Sequence, residues 1–325
     1  MKVIHHFNRE VRPGNVTFEQ LFGALRKEIA NYYPINNFDL PIGLNKWQAI
    51  QWAKKNSGLL NHITGDVNFL AYGLPKGNTI LTVHDLGHYQ QTLTHLKKIV
   101  YGEFWLKGPF KRVRMLTSIS EFTKNQMVNA FNISPEKIKV IHNPLLPGFF
   151  PVARTQNNVP VILQIGSGAN KNLASLIHAV KGLDVKLLLV NHLRNDHERM
   201  LLEKFKINYT QLTNLNFDQL VQAYAACDIL YFASSYEGFG LPILEAQAVG
   251  RAVITSRSSS MPEVAGDAAV YVDHFSIEEI RDAIVRISSS TDFQEKLIQN
   301  GFENIKRFNL SVIAKQYAEL YEQLF

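Results

Sequence analysis

Cysteine and long apolar runs are nearly absent from this chain, and each absence excludes a class of protein. The single cysteine, Cys227, cannot form a disulfide or a cysteine-based metal site within one chain, and its apolar neighbours predict a small core residue. No stretch approaches the roughly 18 consecutive apolar residues of a membrane-spanning helix, and no signal-peptide core follows the first strand-like residues. We therefore expect a cytoplasmic globular protein.

Metal-binding motifs are missing as well. The 325 residues contain no Asp-x-Asp triplet and no His-Glu-x-x-His motif. Such motifs hold catalytic metals or metal-bound nucleotides, so we expect no metal site and no other cofactor. The sequence also shows no internal repeat and no low-complexity tract.

The charge balance is modestly basic. The 34 basic and 28 acidic residues give a net charge of +6, which permits anionic ligands but is too small an excess to indicate nucleic-acid binding. One local cluster combines basic with aromatic residues: Phe104, Trp105, Lys107, Lys111, Arg112 and Arg114. We interpret it as a solvated turn between a helix and a strand, with contact to an anionic membrane surface as the alternative.

Length and periodicity predict two α/β domains. At 325 residues and 46% hydrophobic content, the chain can form two packed cores. Apolar runs of strand length alternate with helical patterns, which favours parallel sheets. Prolines at 144, 147 and 151 interrupt this periodicity, so we place one domain at 1–150, a second at 151–310 and a final helix at 311–325. Predicted strands include 2–7, 59–63, 79–83, 114–118, 160–165, 185–190, 209–213, 229–233 and 270–272, and predicted helices include 17–32, 46–55, 217–227 and 312–324.

The stretch from 234 to 250, Ser-Ser-Tyr-Glu-Gly-Phe-Gly-Leu-Pro-Ile-Leu-Glu-Ala-Gln-Ala-Val-Gly, is the most informative part of the chain. It follows an apolar run of strand length. Glycines then flank Phe239, while Pro242 and Gly250 mark the start and the end of a short helix. Such a strand, glycine turn and helix would aim the N-terminus of the helix out of the sheet edge, where it can bind a phosphate.

Two carboxylates accompany this predicted phosphate site. Glu237 lies in the turn and Glu245 about one turn inside the helix, so both side chains can face one cleft. Ionised carboxylates beside a phosphate are suited to sugar hydroxyls, which donate hydrogen bonds to them. The alternative is a solvated Glu237 that caps the turn and a Glu245 that completes a helix surface.

Two further segments place polar residues directly after predicted strands. The loop Gly166-Ser-Gly-Ala-Asn-Lys-Asn172 can bind a phosphate through backbone N–H groups and Lys171. His84 follows the strand 79–83, at the carboxyl edge where open α/β sheets bind ligands. A structural histidine is the alternative there, and His88 is a second candidate for the same role.

Taken whole, the 234–250 stretch resembles the donor-site signature of the family-four glycosyltransferases, which are retaining enzymes of the GT-B fold. Glu237 and Glu245 have that family's spacing, and the segment from Leu81 to Leu86 resembles its histidine segment. The resemblance implies two Rossmann-like, doubly wound domains facing a cleft. The first would bind the acceptor and the second the nucleotide sugar, and the last helix would cross back to the first domain.

The resemblance also assigns site residues. It implies catalytic roles for His84 and Glu237, with His84 near the transferred sugar and Glu237 on its hydroxyls, and a ribose contact for Glu245. Further donor-binding positions follow from it: Gly14, Lys171, Leu212, Gly238, Phe239, Gly240 and Leu241. An arginine common in the family near Lys171 is replaced here by Ser167 or Asn170, which departs from the expected diphosphate site.

The implied reaction moves a hexosyl group, with retention, from a nucleoside-diphosphate sugar to a glycan or lipid-linked acceptor. Such transfers belong to cell-surface polysaccharide or lipopolysaccharide synthesis, at the inner face of the cytoplasmic membrane. Two alternatives stay open: a nucleotide-sugar epimerase of the same fold, and a catalytically silent nucleotide-sugar-binding subunit.

Overall fold

A computed structural model describes residues 2–10, 17–154, 157–190, 192–193 and 196–325. The chain forms two compact units, which we call unit 1 (Met1–Leu146 with Phe308–Phe325) and unit 2 (Pro147–Arg307). The predicted boundaries at 150/151 and 310/311 lie a few residues away from these limits. The acceptor and donor roles given to the two domains stay predictions.

Strands and helices alternate along almost the whole chain. The first half contains β1 Ile4–Asn8, α1 Thr17–Ile29, β2 Ile35–Asp39, α2 Lys46–Lys55, β3 Leu60–Ile63, β4 Thr79–Val83, α3 His95–Tyr101, α4 Gly108–Arg112, β5 Met115–Ser118, α5 Glu121–Phe131 and β6 Ile138–Val140. The second half contains β7 Val161–Ile165, α6 Leu173–Ala179, β8 Lys186–Val190, α7 Asp196–Lys204, β9 Asn208–Leu212, α8 Phe217–Ala226, β10 Ile229–Phe232, α9 Leu241–Val249, β11 Ala252–Ser256, α10 Met261–Ala265, β12 Val270–Val272, α11 Ile277–Ser289, α12 Thr291–Asn304 and α13 Leu310–Leu324.

Each unit is built on a six-stranded parallel sheet. Unit 1 has the strand order β2-β1-β3-β4-β5-β6, and unit 2 has the order β12-β11-β10-β7-β8-β9. All the strand pairs are parallel, and the central strands consist almost wholly of buried residues, as helix-covered parallel sheets require. The predicted α/β class with parallel sheets is confirmed.

The final helix α13 belongs to unit 1. It packs against α1 and buries Tyr317 and Tyr321 under the sheet. The Tyr321 hydroxyl contacts both His6 Nε2, at 3.0 Å, and His62 Nδ1, at 2.7 Å. Helix α13 is therefore anchored to the sheet by polar contacts as well as by apolar packing.

One predicted element of unit 1 is wrong. The basic and aromatic cluster predicted as a solvated turn is helical, with α3 continuing through a π-helical stretch, Gly102–Lys107, into α4. Gly102 is required there, because a Cβ atom would lie 2.9 Å from the Tyr89 ring. Most of the cluster's cations are bound within the unit: Lys107 pairs with Glu103, and Arg112 and Arg114 donate to backbone carbonyls.

Strand β2 was not predicted from the sequence. Its residues, Ile-Asn-Asn-Phe-Asp, carry only two apolar side chains, because β2 lies at the edge of the sheet and pairs with β1 alone. Among the residues that the structure describes, no helix has the length and apolar character needed to cross a bilayer.

Candidate functional site

The order of strands in unit 2 puts a switch point between β7 and β10, and we call the carboxyl edge of the sheet at this point the donor crevice. The chain runs from β7 outward through β8 to β9, then returns to the other side of β7 and continues through β10 to β12. At such a switch point the loops after the two central strands diverge and leave room for a ligand at the carboxyl edge. The two loops here are the glycine loop after β7 and the 233–240 turn after β10.

Lys171 and Glu237 meet in this crevice. The Lys171 ammonium forms an ion pair with Glu237 Oε1 and lies 4.5 Å from the centre of the Phe232 ring. Asn170 Nδ2 donates to the same carboxylate oxygen at 3.0 Å and to the Tyr236 carbonyl at 2.9 Å. Both charged side chains keep a little under one fifth of their surface exposed. A cation and a carboxylate are thus held side by side at the ligand-binding edge of the sheet.

Backbone conformation at two glycines shapes the crevice. Gly166 has a φ of +100°, and a Cβ atom there would lie 2.8 Å from Lys171 Cε, so a side chain would displace the lysine. Gly240, with a φ of +120°, begins α9 as its N-cap, and Pro242 follows in the first turn. The first N–H groups of a helix have no partner inside the helix, so the start of α9 offers donors to an anion. The predicted strand, glycine turn and helix are confirmed.

Glu245 lies deeper than Glu237. Its side chain is 9% exposed, and its Oε2 accepts a hydrogen bond of 2.5 Å from the Tyr224 hydroxyl on α8. Burial raises the pKa of Glu245 to about 7, and the Tyr224 hydrogen bond opposes this rise only in part. The two glutamates therefore have different surroundings, one paired with a lysine and one buried against a phenol.

The other predicted donor-binding residues of unit 2 are spread along the same edge. Leu212 ends β9, in register with Val190 and, through it, with Ile165 of β7. Phe239 is 4% exposed and forms part of the core, so its side chain is not available to a ligand. Gly238 and Leu241 flank the turn into α9.

Unit 1 has its own switch point, between β1 and β3, and a pocket of about 70 Å³ lies there. His84, which follows β4, lines it; its Nε2 donates to the Thr64 carbonyl at 2.8 Å, and its ring meets Phe22 edge-on. Asn8 donates to Asp39 at 2.9 Å across the ends of β1 and β2. Polar groups from four adjacent strand ends thus converge on this pocket.

Some of the predicted site residues do not lie at either of these two sites. Gly14 lies outside the described residues. His88 lies in the π-helical turn His88–Thr92 and contacts Tyr101, and it does not line the unit 1 pocket. Ser167, one of the two candidates for the replaced arginine, accepts a hydrogen bond from the His192 N–H, whereas Asn170 contacts Glu237.

Several site residues were missed from the sequence, namely Tyr224, Asn8, Asp39 and Thr64. Asn8 and Thr64 end or follow predicted strands of unit 1, so a polar residue after an apolar run was a signal available for them, whereas Asp39 ends β2, whose residues are mostly polar. Tyr224 sits on an otherwise apolar helix face and resembles a core residue. Within the described ranges, no group of three or more His, Cys, Asp or Glu side chains is placed to hold a metal ion. Metal independence of the reaction stays a prediction.

Comparison with known proteins matches a family model to each of the two units. The family model described as Glycosyltransferase Family 4 matches residues 15–145, and the model described as Glycosyl transferases group 1 matches residues 149–304. The O-antigen chain mannosyltransferase RfbU of Salmonella typhimurium is 29% identical over 241 residues, which cover 71% of this chain and 67% of that protein. The O-antigen chain mannosyltransferase B of Escherichia coli is 24% identical over 270 residues, covering 75% and 70%.

A solved structure shares the fold over the full length. The crystal structure of Anabaena HepE, in complex with UDP and glucose, matches with a TM-score of 0.79 at 15% identity and covers 99% of each chain. The resemblance drawn from the 234–250 stretch is thereby confirmed at the level of family and fold. With one family model on each unit, the chain belongs to the GT-B glycosyltransferases, enzymes that transfer sugars from nucleotide-sugar donors.

Proposed function

We propose that this enzyme transfers a hexosyl group, with retention of anomeric configuration, from a nucleoside-diphosphate hexose to a glycan or lipid-linked acceptor. The observation that carries the proposal is the Lys171–Glu237 pair at the unit 2 switch point, beside the N-terminus of α9. A diphosphate needs cationic and N–H donors, and a hexose needs carboxylate acceptors for its hydroxyls. The two loops that follow β7 and β10 offer both the donors and the carboxylate acceptor.

The chemical problem is to stabilise a leaving diphosphate while positive charge grows on the sugar. We assign Lys171 and the start of α9 to the diphosphate. We assign Glu237 to the hexose hydroxyls and Glu245 to the ribose. In the step itself, the acceptor oxygen bonds to the anomeric carbon, the bond from that carbon to phosphate breaks, and the acceptor proton passes to the leaving phosphate oxygen. This route uses no protein nucleophile.

The sugar is proposed to be mannose. Both curated relatives described above are mannosyltransferases by name and act on O-antigen chains. Their names also support an acceptor in cell-surface polysaccharide or lipopolysaccharide synthesis.

The unit 1 pocket is proposed to receive sugar hydroxyls. Its Asp39 and Asn8 offer oxygen and amide groups of the kind that bind hydroxyls, and His84, at the end of the neighbouring β4, is proposed to contact the transferred hexose. Two arginines also line this pocket: Arg9 pairs with Glu19, and Arg26 donates to Asn8 Oδ1 at 3.1 Å.

The proposal is tested with a panel of nucleoside-diphosphate hexoses. A donor present at 100 times its dissociation constant should stabilise the folded protein by about 2.7 kcal/mol, which a thermal shift detects. The stabilising donor is then incubated with glycan acceptors, and proton NMR reads the anomeric configuration of the product. A product of opposite configuration contradicts retention, and conversion of the donor without acceptor indicates an epimerase.

A further inference from the structure

Asn170 joins the two loops of the donor crevice. It lies in the 3₁₀ turn Ala169–Lys171 that follows β7. Its Nδ2 group donates to two atoms of the turn after β10, namely Glu237 Oε1 at 3.0 Å and the Tyr236 carbonyl oxygen at 2.9 Å. Its own backbone carbonyl accepts a hydrogen bond of 2.8 Å from the Ser235 N–H. Three hydrogen bonds thus attach this one residue to the turn that carries Glu237.

Gly168 leaves the space that the Asn170 side chain occupies. The backbone at Gly168 has a φ of −75° and a ψ of 151°, which other residues adopt as readily as glycine. A Cβ atom at this position, however, would collide with Asn170 Oδ1. A side chain at 168 would therefore displace the Asn170 amide, so the glycine preserves the contact between Asn170 and Glu237.

The two carboxylate oxygens of Glu237 have different surroundings. Oε1 accepts from both Lys171 Nζ and Asn170 Nδ2, whereas Oε2 accepts no hydrogen bond from the part of the chain that the structure describes. Since each oxygen of an ionised carboxylate can accept about two hydrogen bonds, Oε1 is used by the protein and Oε2 is available to a sugar hydroxyl. The donors on Oε1 therefore decide where Oε2 lies.

These two donors differ in charge and in attachment. Lys171 is a cation on a flexible stem and is proposed to bind the donor diphosphate, which would draw it away from the carboxylate. Asn170 is neutral, and its bonds to Tyr236 and Ser235 do not depend on the ligand. Asn170 can therefore hold Glu237 after Lys171 has turned to the diphosphate. The negative charge of Glu237, no longer compensated, would then face the hexose, where positive charge grows.

We propose that Asn170 is a positioning residue, which holds the Glu237 carboxylate against the transferred hexose while Lys171 binds the diphosphate. This inference rests on the proposed function, because it needs Glu237 at the hexose end of the donor. It also gives Asn170 a different task from the arginine that the family resemblance leads one to expect near Lys171. That arginine would contact the diphosphate, whereas Asn170 acts through Glu237.

The test is a double-mutant cycle on kcat, with the whole chain and with the donor and acceptor selected in the screen above. Asn170→Ala should lower kcat about tenfold. Asn170→Asp keeps the shape of the side chain but cannot donate at about pH 8, so it should lower kcat at least as much. In a Glu237→Ala background, Asn170→Ala should lower kcat by a further factor of less than about two, because it acts only through that carboxylate.

Further measurements separate this role from diphosphate binding and from general support of the fold. In calorimetry, free nucleoside diphosphate should bind Asn170→Ala within about twofold of its affinity for wild type, since Asn170 does not hold the diphosphate. Gly168→Ala should lower kcat as Asn170→Ala does, because its Cβ atom displaces the amide. The matched control is Asn300→Ala in α12, which removes an amide that donates to the Asp267 carbonyl at 3.0 Å and should leave kcat unchanged.

Three outcomes overturn the proposal. The first is an undiminished kcat in Asn170→Ala or Asn170→Asp. The second is an equal loss of kcat from Asn170→Ala in the wild-type and Glu237→Ala backgrounds, as a merely structural role would give. The third is a loss of diphosphate affinity in Asn170→Ala as large as that in Lys171→Met, which would make Asn170 a diphosphate contact.

Failure of the proposed function is seen separately, in Glu237→Ala alone. If that variant kept the kcat of wild type, the role given to Glu237 would be wrong, and the role of Asn170 with it. If Glu237→Ala lost kcat and Asn170→Ala did not, only the role of Asn170 would be wrong.

Discussion

The Tyr224 hydroxyl donates a 2.5 Å hydrogen bond to Glu245 Oε2 and so joins α8 to α9 beneath the donor crevice. Both groups are buried, and the carboxyl has a pKa raised to about 7 by that burial. Glu245 is therefore close to half protonated at neutral pH. The charge of this carboxyl at working pH is therefore set by the packing that buries it, together with the pH of the solvent.

We predict that Glu245 makes the enzyme less stable as pH rises from 5 to 8. Between the ordinary carboxyl pKa near 4.5 and the folded value near 7, the folded state keeps a proton that the unfolded state releases. Glu245→Gln removes this effect. Relative to wild type, the variant should gain roughly 2.5 kcal/mol of unfolding free energy between pH 5 and pH 8, measured by urea denaturation. The exposed Glu278→Gln should show no such gain, and a gain of equal size in both variants would contradict the assignment.

The buried histidines His6 and His62, which lie under α13, are predicted to lower the stability of the protein as pH falls, which is the opposite of the effect of Glu245. Burial lowers the pKa of His62 to about 3, and the pKa of His6 lies well below its usual range for the same main reason. Below pH 6.5 the unfolded chain binds protons that the folded state refuses, so stability is present above pH 6.5 and is lost as pH falls. For His62 alone the loss at pH 5 is roughly 2 kcal/mol.

Hydrogen exchange can locate this acid sensitivity. Amides of α13 and β3 should exchange faster at pH 5 than at pH 7.5 after correction for the intrinsic rate, and His62→Gln should flatten the change. His197→Gln, in unit 2, serves as the control. Equal acid sensitivity of α13 in wild type and His62→Gln would show that this buried pair does not govern it.

Arg251 is predicted to be a highly sensitive structural residue of unit 2. Its guanidinium is 1% exposed and donates to the carbonyls that end two helices: Tyr224, Ala225, Val249 and Gly250, with Val152 as a fifth. An ammonium has three donors and cannot reproduce this fork. Arg251→Lys should lower the unfolding free energy of unit 2 by roughly 3 kcal/mol, measured in urea.

A second arginine, Arg281, tests whether the five bound carbonyls explain the loss of stability expected for Arg251→Lys. Arg281 Nη1 donates to two carbonyls, of Ala179 and Lys181, in a more exposed place. Arg281→Lys should cost about 1 kcal/mol or less. If the two variants lost the same stability, the number of bound carbonyls would not explain the effect.

The sequence predicted the local parts of the site because their signals are local. An apolar run followed by glycine, Pro242 and Gly250 predicts a strand, a turn and a helix, and these are β10 and α9. Cys227 was predicted to be a core residue and is 2% exposed. Each of these conclusions depends on a few consecutive residues.

What the sequence could not give depends on distant parts of the chain. Lys171 and Glu237 are 66 positions apart and meet because β7 and β10 are neighbours in the sheet. Gly108-Pro109 was interpreted as a turn, yet proline is tolerated in the first turn of a helix, where α4 places it. The sequence can identify the residues at such positions, but the packing of distant segments around them decides their conformation.

The last prediction separates the donor-site residues by their effect on free nucleoside diphosphate. In the structure Glu237 compensates the charge of Lys171, so Glu237→Gln frees the lysine and should bind nucleoside diphosphate as tightly as wild type or tighter. Lys171→Met removes the cation and should bind it about tenfold more weakly, or ~1.4 kcal/mol. Glu245→Gln should also bind it more weakly, because the proposed ribose contact is present in the free nucleotide. Calorimetry measures all three, with the exposed Lys181→Met as the control.

Measurements of kcat and of the donor KM should also distinguish these variants, and Glu237→Gln should now be the more strongly affected of the two glutamate variants in kcat. Glu237 is proposed to contact the hexose, where charge develops, so Glu237→Gln should lower kcat by about 10²-fold, equivalent to ~2.7 kcal/mol. Glu245→Gln should mainly raise the donor KM, because its contact is made equally in the ground and transition states. If Glu237→Gln weakened diphosphate binding and left kcat unchanged, Glu237 would belong to the nucleotide end of the donor and Glu245 would be the residue nearer the sugar.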